Sequence, residues 1–115
     1  MKFKTTSKQM RANYYQVIET GYCSMQSLLK YTSPIAYSAG VYGWNCDYYE
    51  VNGVLICTGY RGMFSKNTKS DYNLVHKYEA KARIIDTNYD LDYEIRKRKV
   101  NKLLEKFVTE ATSKK

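Results

Sequence analysis

Cys23, Cys46, Cys57 and His76 are the chain's only thiols and its only imidazole. Thiolate and imidazole are the donors a structural zinc takes, so the four form a candidate Cys3His set. Their spacing argues against it: 22, 10 and 18 residues intervene between successive members, whereas structural zinc is usually held by closely paired ligands from one turn. Buried free thiols are the simpler expectation, so no cofactor is assigned and a zinc-stabilised module remains an alternative. The same residues would serve nucleophilic catalysis only if the fold carried His76 to a thiol and added an orienting acid or amide, and no local signature does so. Asp90, Asp92 and Glu94 resemble a general acid/base group, but the first turn of a helix explains them fully. GxSxG, HExxH and a glycine-rich phosphate loop are all absent from the sequence. A non-enzymatic protein is expected.

Charge and aromatic content point instead to binding. The formal net charge is +8, carried by the two ends: residues 1–11 hold four basic residues and no acid, residues 12–60 sum to −2, and residues 61–115 sum to +6. Such a field favours polyanions without choosing among nucleic acid, anionic membrane and acidic protein. Arg96, Lys97, Arg98 and Lys99, followed by Lys102 and Lys106, form a basic helix side, and Lys99, Lys102 and Lys106 share one ridge suited to phosphates or acidic side chains. An ordinary solvated face gives the same pattern. Tyrosine outnumbers phenylalanine 13 to 3; such rings half-bury and still bond a partner, although an AT-rich genome also yields this composition. Arg61, expected opposite Trp44 and flanked by Tyr42, Tyr48 and Tyr60, would present a guanidinium from an aromatic platform. Single-stranded nucleic-acid binders and protein hot spots both use that arrangement. Trp44 as a core anchor is the structural alternative. The candidate partner-binding residues are therefore Trp44, Tyr60, Arg61, Arg96, Lys99, Lys102 and Lys106.

The elements that would position these residues are read from period and punctuation. A first helix is expected to begin after Thr5, Thr6 or Ser7 and run to about Thr20, with Met10, Tyr14, Val17 and Ile18 as its apolar stripe and Gly21 as its left-handed cap. A short second helix runs from about Ser24, with Met25, Leu28 and Leu29 on one face, and stops before Pro34. Residues 35–60 read as one long strand, kinked at Gly40 and Gly43, then a turn at Asn52-Gly53 and a second strand. A two-residue turn there pairs Val51 with Val54, Tyr49 with Ile56, Tyr48 with Cys57 and Trp44 with Arg61, and leaves large apolar groups on both faces. A third helix is capped by Ser70 and runs to about Asp86, with Leu74, Val75, Tyr78, Ala82 and Ile85 inward. A fourth starts near Asp90, and Val100, Leu103, Leu104, Phe107, Val108 and Ala111 trace its stripe.

The segment AYSAGVYGWNCDYYEVNGVLICTGYRG, from Ala36 to Gly62, together with the earlier GYCSMQSLL, resembles short accessory proteins encoded in phages and conjugative elements of low-GC Gram-positive bacteria. The resemblance spans roughly residues 14–62 and assigns no role to particular residues. Small compact proteins of that origin are similar to counter-defence inhibitors, of which anti-CRISPR proteins are the best-known class. Many of those are acidic DNA mimics, a pattern from which this basic chain departs.

The expectation is one α+β domain over residues 1–115, with four helices packed around a central antiparallel β-hairpin in the order α-α-β-β-α-α. Its leading function is non-enzymatic binding to a host protein or nucleoprotein, such as inhibition of a CRISPR effector; direct nucleic-acid binding is the alternative. No run approaches the roughly 18 apolar residues of a membrane span, and the first residues lack a signal peptide's apolar region, so a cytoplasmic protein without membrane contact is expected. Nothing in the pattern bears on self-association.

Overall fold

The computed structural model describes residues 2–21, 23–39, 45–59, 68–69 and 71–113. The elements are β1 (Phe3–Lys4), α1 (Ser7–Ala12), β2 (Val17–Gly21), β3 (Ala36–Ala39), β4 (Asn45–Val51), β5 (Val54–Gly59), β6 (Thr68–Lys69), α2 (Tyr72–Asp86) and α3 (Tyr93–Ser113). Among the described residues six strands form one mixed sheet in the order β1-β3-β4-β5-β2-β6. β4 is antiparallel to both its neighbours and the remaining pairings are parallel. The expected four helices around a two-stranded hairpin are thus replaced, among the described residues, by three helices on a larger sheet.

The first correction lies in the N-terminal quarter. α1 begins where expected, because the Thr6 hydroxyl accepts from Gln9 N–H at 3.2 Å and the Gln9 carbonyl accepts from Thr6 N–H at 3.1 Å, a reciprocal capping box. It stops at Ala12, not near Thr20. Val17, Ile18 and Thr20 are β-branched and fill a strand whose five residues are all buried. Val17 enters one core and Ile18 the other. A strand buried on both faces has an unbroken apolar run, which over so short a window fits a helical stripe equally well. Gly21 has positive φ, as expected, but at +56° it sits beside a shift in the β2–β5 register rather than at a helix end.

Residues 25–32 form hydrogen-bonded turns instead of the expected second helix: Leu29 N–H bonds Met25 O at 2.9 Å and Thr32 N–H bonds Leu29 O at 3.1 Å. The expected long strand is two strands, β3 and β4, paired antiparallel with Ala36 opposite Tyr48 and Ala39 opposite Asn45. The β4–β5 hairpin has the register expected from its turn, from Val51–Val54 out to Cys46–Gly59. Asn52 and Gly53 take φ of +51° and +80°, the pair of positive values a type I′ turn requires.

Both faces of the sheet are covered. On one, Ile18, Val54 and Ile56 pack with Leu74, Val75, Tyr78 and Ala82 of α2 and with Val100, Leu104, Phe107, Val108 and Ala111 of α3. On the other, Val17, Ala36, Cys46, Tyr48, Leu55 and Cys57 pack against Met10 of α1. α2 is capped by Asp71, whose carboxylate accepts from Leu74 N–H at 3.1 Å; the expected cap, Ser70, lies outside the described residues. α2 ends at Asp86 as expected, whereas α3 begins at Tyr93 rather than near Asp90.

Candidate binding surface

The inward stripe of α3 leaves Arg98, Lys99, Lys102 and Lys106 exposed on its opposite side. Lys99 to Lys106 spans seven residues, about 10 Å along the axis at the helical rise. Among the described residues no ion pair engages any of these four. Of the acids on α3, Glu110 is engaged elsewhere: it accepts from the Tyr78 hydroxyl at 3.0 Å, with Lys77 Nζ at 4.0 Å, across the seam with α2. Lys99, Lys102 and Lys106 thus stand exposed on one side of α3, with the exposed Glu105 between the last two.

Arg96 does not belong to it. Its guanidinium donates to Asp86 O at 3.2 Å and lies 5.5 Å from the Tyr89 ring centre, fastening the corner between α2 and α3. Asp86 at that corner accepts from Lys30 Nζ at 3.0 Å and from the Tyr31 hydroxyl at 2.7 Å. Burial pushes the Asp86 carboxyl up, but the bonds from Tyr31 and Lys30, helped by the Lys30 and Arg96 charges, outweigh it and hold the group below its ordinary value. A depressed carboxyl stabilises the fold above its unfolded value of about 4 and loses that contribution as pH falls through the lower folded value. Tyr31→Phe should therefore weaken the chain less at pH ~2 than at pH ~7 in urea unfolding; equal losses would show that the bond does not depend on the carboxylate.

Trp44, Tyr60 and Arg61, with the neighbouring Tyr42, lie outside the described residues. The four zinc candidates separate. Cys46 and Cys57 are buried on the α1 face of the sheet, where burial pushes their thiols up to about 11 and about 12. Cys23 packs on the opposite face, its sulfur 3.6 Å from His76 Nε2. Among the described residues no three metal-ligating side chains converge.

Two arrangements were not anticipated, and a third was raised only as one that no local signature predicts. Glu19 in β2 is 1 % exposed and pairs with Arg11 of α1. Glu79, also buried, accepts from the backbone N–H groups of Ser27 and Leu28 at 3.0 and 2.9 Å. Both signals were present, since each glutamate interrupts an otherwise apolar run, in VIETG and in the α2 stripe. The third, the meeting of Cys23 with His76, left no local trace.

No family model matches the chain, and neither a curated protein nor a solved structure is recognisably similar to it.

Proposed function

We propose that this chain is a non-enzymatic binding protein that seats an anionic partner on the exposed side of α3, and that the partner is a host nucleoprotein such as a CRISPR effector. The observation carrying this reading is the run of Arg98, Lys99, Lys102 and Lys106, four exposed cations that no described acid pairs with. A solvated helix face usually interleaves both signs. Here the nearest acid in sequence, Glu105, is outnumbered, and Glu110 is turned to the α2 seam. Unneutralised charge on a rigid helix accelerates encounter with an oppositely charged surface and fixes its register. A nucleoprotein offers such a surface in its acidic patches and its phosphates. A net charge of +8 places the chain opposite to proteins that imitate DNA, so it would occupy an anionic groove rather than replace the nucleic acid in a basic one.

Reversing Lys99, Lys102 and Lys106 to glutamate tests this, because exposed side chains can be exchanged with little effect on the core. Capture of one defined host protein that survives nuclease treatment is expected from the unaltered chain, with at least a hundredfold weaker binding by the triple variant, from weakened attraction and added repulsion. Loss of all captured material after nuclease treatment would instead favour direct nucleic-acid binding. In that case the slope of log affinity against log salt for duplex DNA should fall by about 2.7 in the variant, roughly 0.9 for each phosphate that a lysine no longer neutralises.

A further inference from the structure

We propose that Cys23 and His76 form a reactive thiol–imidazole pair, a site for exchange with small disulfides. The two residues are 53 positions apart, and their Sγ–Nε2 separation of 3.6 Å is created only by the fold. Cys23 follows the end of β2 and is half-buried against the α2–α3 core, whereas His76 stands exposed one turn into α2. Their approach depends on Gly21 and Tyr72. A Cβ built on Gly21 would lie 3.3 Å from the Tyr72 hydroxyl oxygen, and φ at Gly21 is +56°, so glycine admits the first turn of α2 against the end of β2. His76, four residues after Tyr72, then falls beside Cys23.

The other two thiols provide the contrast. Cys46 and Cys57 are 5 % and 2 % exposed, next to the Arg11–Glu19 pair, and thiols so enclosed are out of reach of a reagent in the folded chain. Cys23 alone combines access with a base. The thiolate is the nucleophile in disulfide exchange, and an adjacent imidazole activates a thiol by taking its proton. The step balances without an outside oxidant: His76 accepts the Cys23 proton, the Cys23 sulfur bonds to one sulfur of a small disulfide, and that S–S bond breaks. The departing thiolate takes the proton back from the imidazolium and leaves as a free thiol, with Cys23 held in a mixed disulfide. The substrate class is a low-molecular-weight disulfide, which reaches a half-buried sulfur more readily than a folded protein does.

The test is the rate of labelling at neutral pH by dithiodipyridine, an uncharged disulfide that the chain's positive charge does not attract. In the folded protein Cys23 should react first, as identified by peptide mass, with Cys46 and Cys57 reacting only after unfolding in urea. Because the imidazole 3.6 Å away can take the thiol proton as the sulfur attacks, the His76→Gln variant should react about fivefold more slowly. Cys23 should also react faster in the native chain than in the unfolded one, despite its partial burial, a comparison that needs no variant. Equal rates for the unaltered chain and His76→Gln, or native labelling of Cys46 or Cys57 as fast as Cys23, would overturn the proposal.

Discussion

Arg11→Ala is expected to cost about 3–5 kcal/mol of folding stability, because it strands the carboxylate of Glu19 inside the sheet. Glu19 lies beside Cys57 across the β2–β5 pairing, on the face that α1 covers. One of its oxygens pairs with Arg11, and Oε2 is buried without a hydrogen-bond partner among the described residues. An ionised carboxylate so placed tolerates little further loss, since removing its cation leaves the full desolvation penalty uncompensated. The cation also secures α1, which at six residues is too short to persist alone. Met10 and the Thr6–Gln9 capping box assist, but among the described residues Arg11 is the only charged link between this helix and β2. Urea unfolding at neutral pH measures the effect, and a loss of less than ~1 kcal/mol would mean that the pair is not what holds α1 to the sheet. Replacing both partners with apolar residues of similar volume, as in Arg11→Met with Glu19→Leu, should recover most of the loss. The resulting non-additivity separates a stranded charge from simple loss of packing.

These energetics also show which parts of the fold were readable before the structure. The Asn52-Gly53 turn demands two positive φ values, and only one register follows from it, so the pairing of Val51 with Val54 and of Tyr48 with Cys57 was legible. α2 and α3 were legible because their apolar stripes persist over several turns, and the ridge of Lys99, Lys102 and Lys106 follows as the complement of the α3 stripe. β2 was not. Its partners are β5 and β6, far along the chain, and Val17 and Ile18 satisfy a helical stripe and a doubly buried strand alike. Parallel pairing also leaves no turn residue to announce it. Gly40 and Gly43, expected to kink one strand, lie outside the described residues, and in the sequence glycines fit a kink as well as a break, so the separation of β3 from β4 could not be chosen locally. On the exposed side of α3, sequence position groups Arg96 with the lysines, because helical position alone does not reveal that Asp86 O and the Tyr89 ring hold it at the corner.

The failure of the expected second helix leads to the other large effect, at Glu79. Met25, Leu28 and Leu29 are buried, as the helical reading required, yet residues 25–32 make only scattered turn bonds and leave N–H groups that a helix would have paired. Glu79 supplies the acceptors: Oε1 takes Leu28 N–H at 2.9 Å, and Oε2 takes Ser27 N–H at 3.0 Å. Glu79→Ala should therefore cost about 3 kcal/mol, the penalty of leaving two buried donors unpaired. The exposed Arg83, 3.5 Å from Oε2, adds little to that figure. Glu79→Gln is the sharper variant. Its carbonyl can still accept at the Oε1 position, which faces both Leu28 and Ser27, while its NH2 presents a donor to a donor at the other. A loss of about half that of alanine is expected, with hydrogen exchange accelerating at Ser27 and Leu28 before the rest of the domain. If alanine and glutamine cost the same, the charge rather than the acceptor geometry holds the turn. If neither accelerates exchange at Leu28, the turn is held by burial of Leu28 and Leu29 alone, and the buried carboxylate has another purpose.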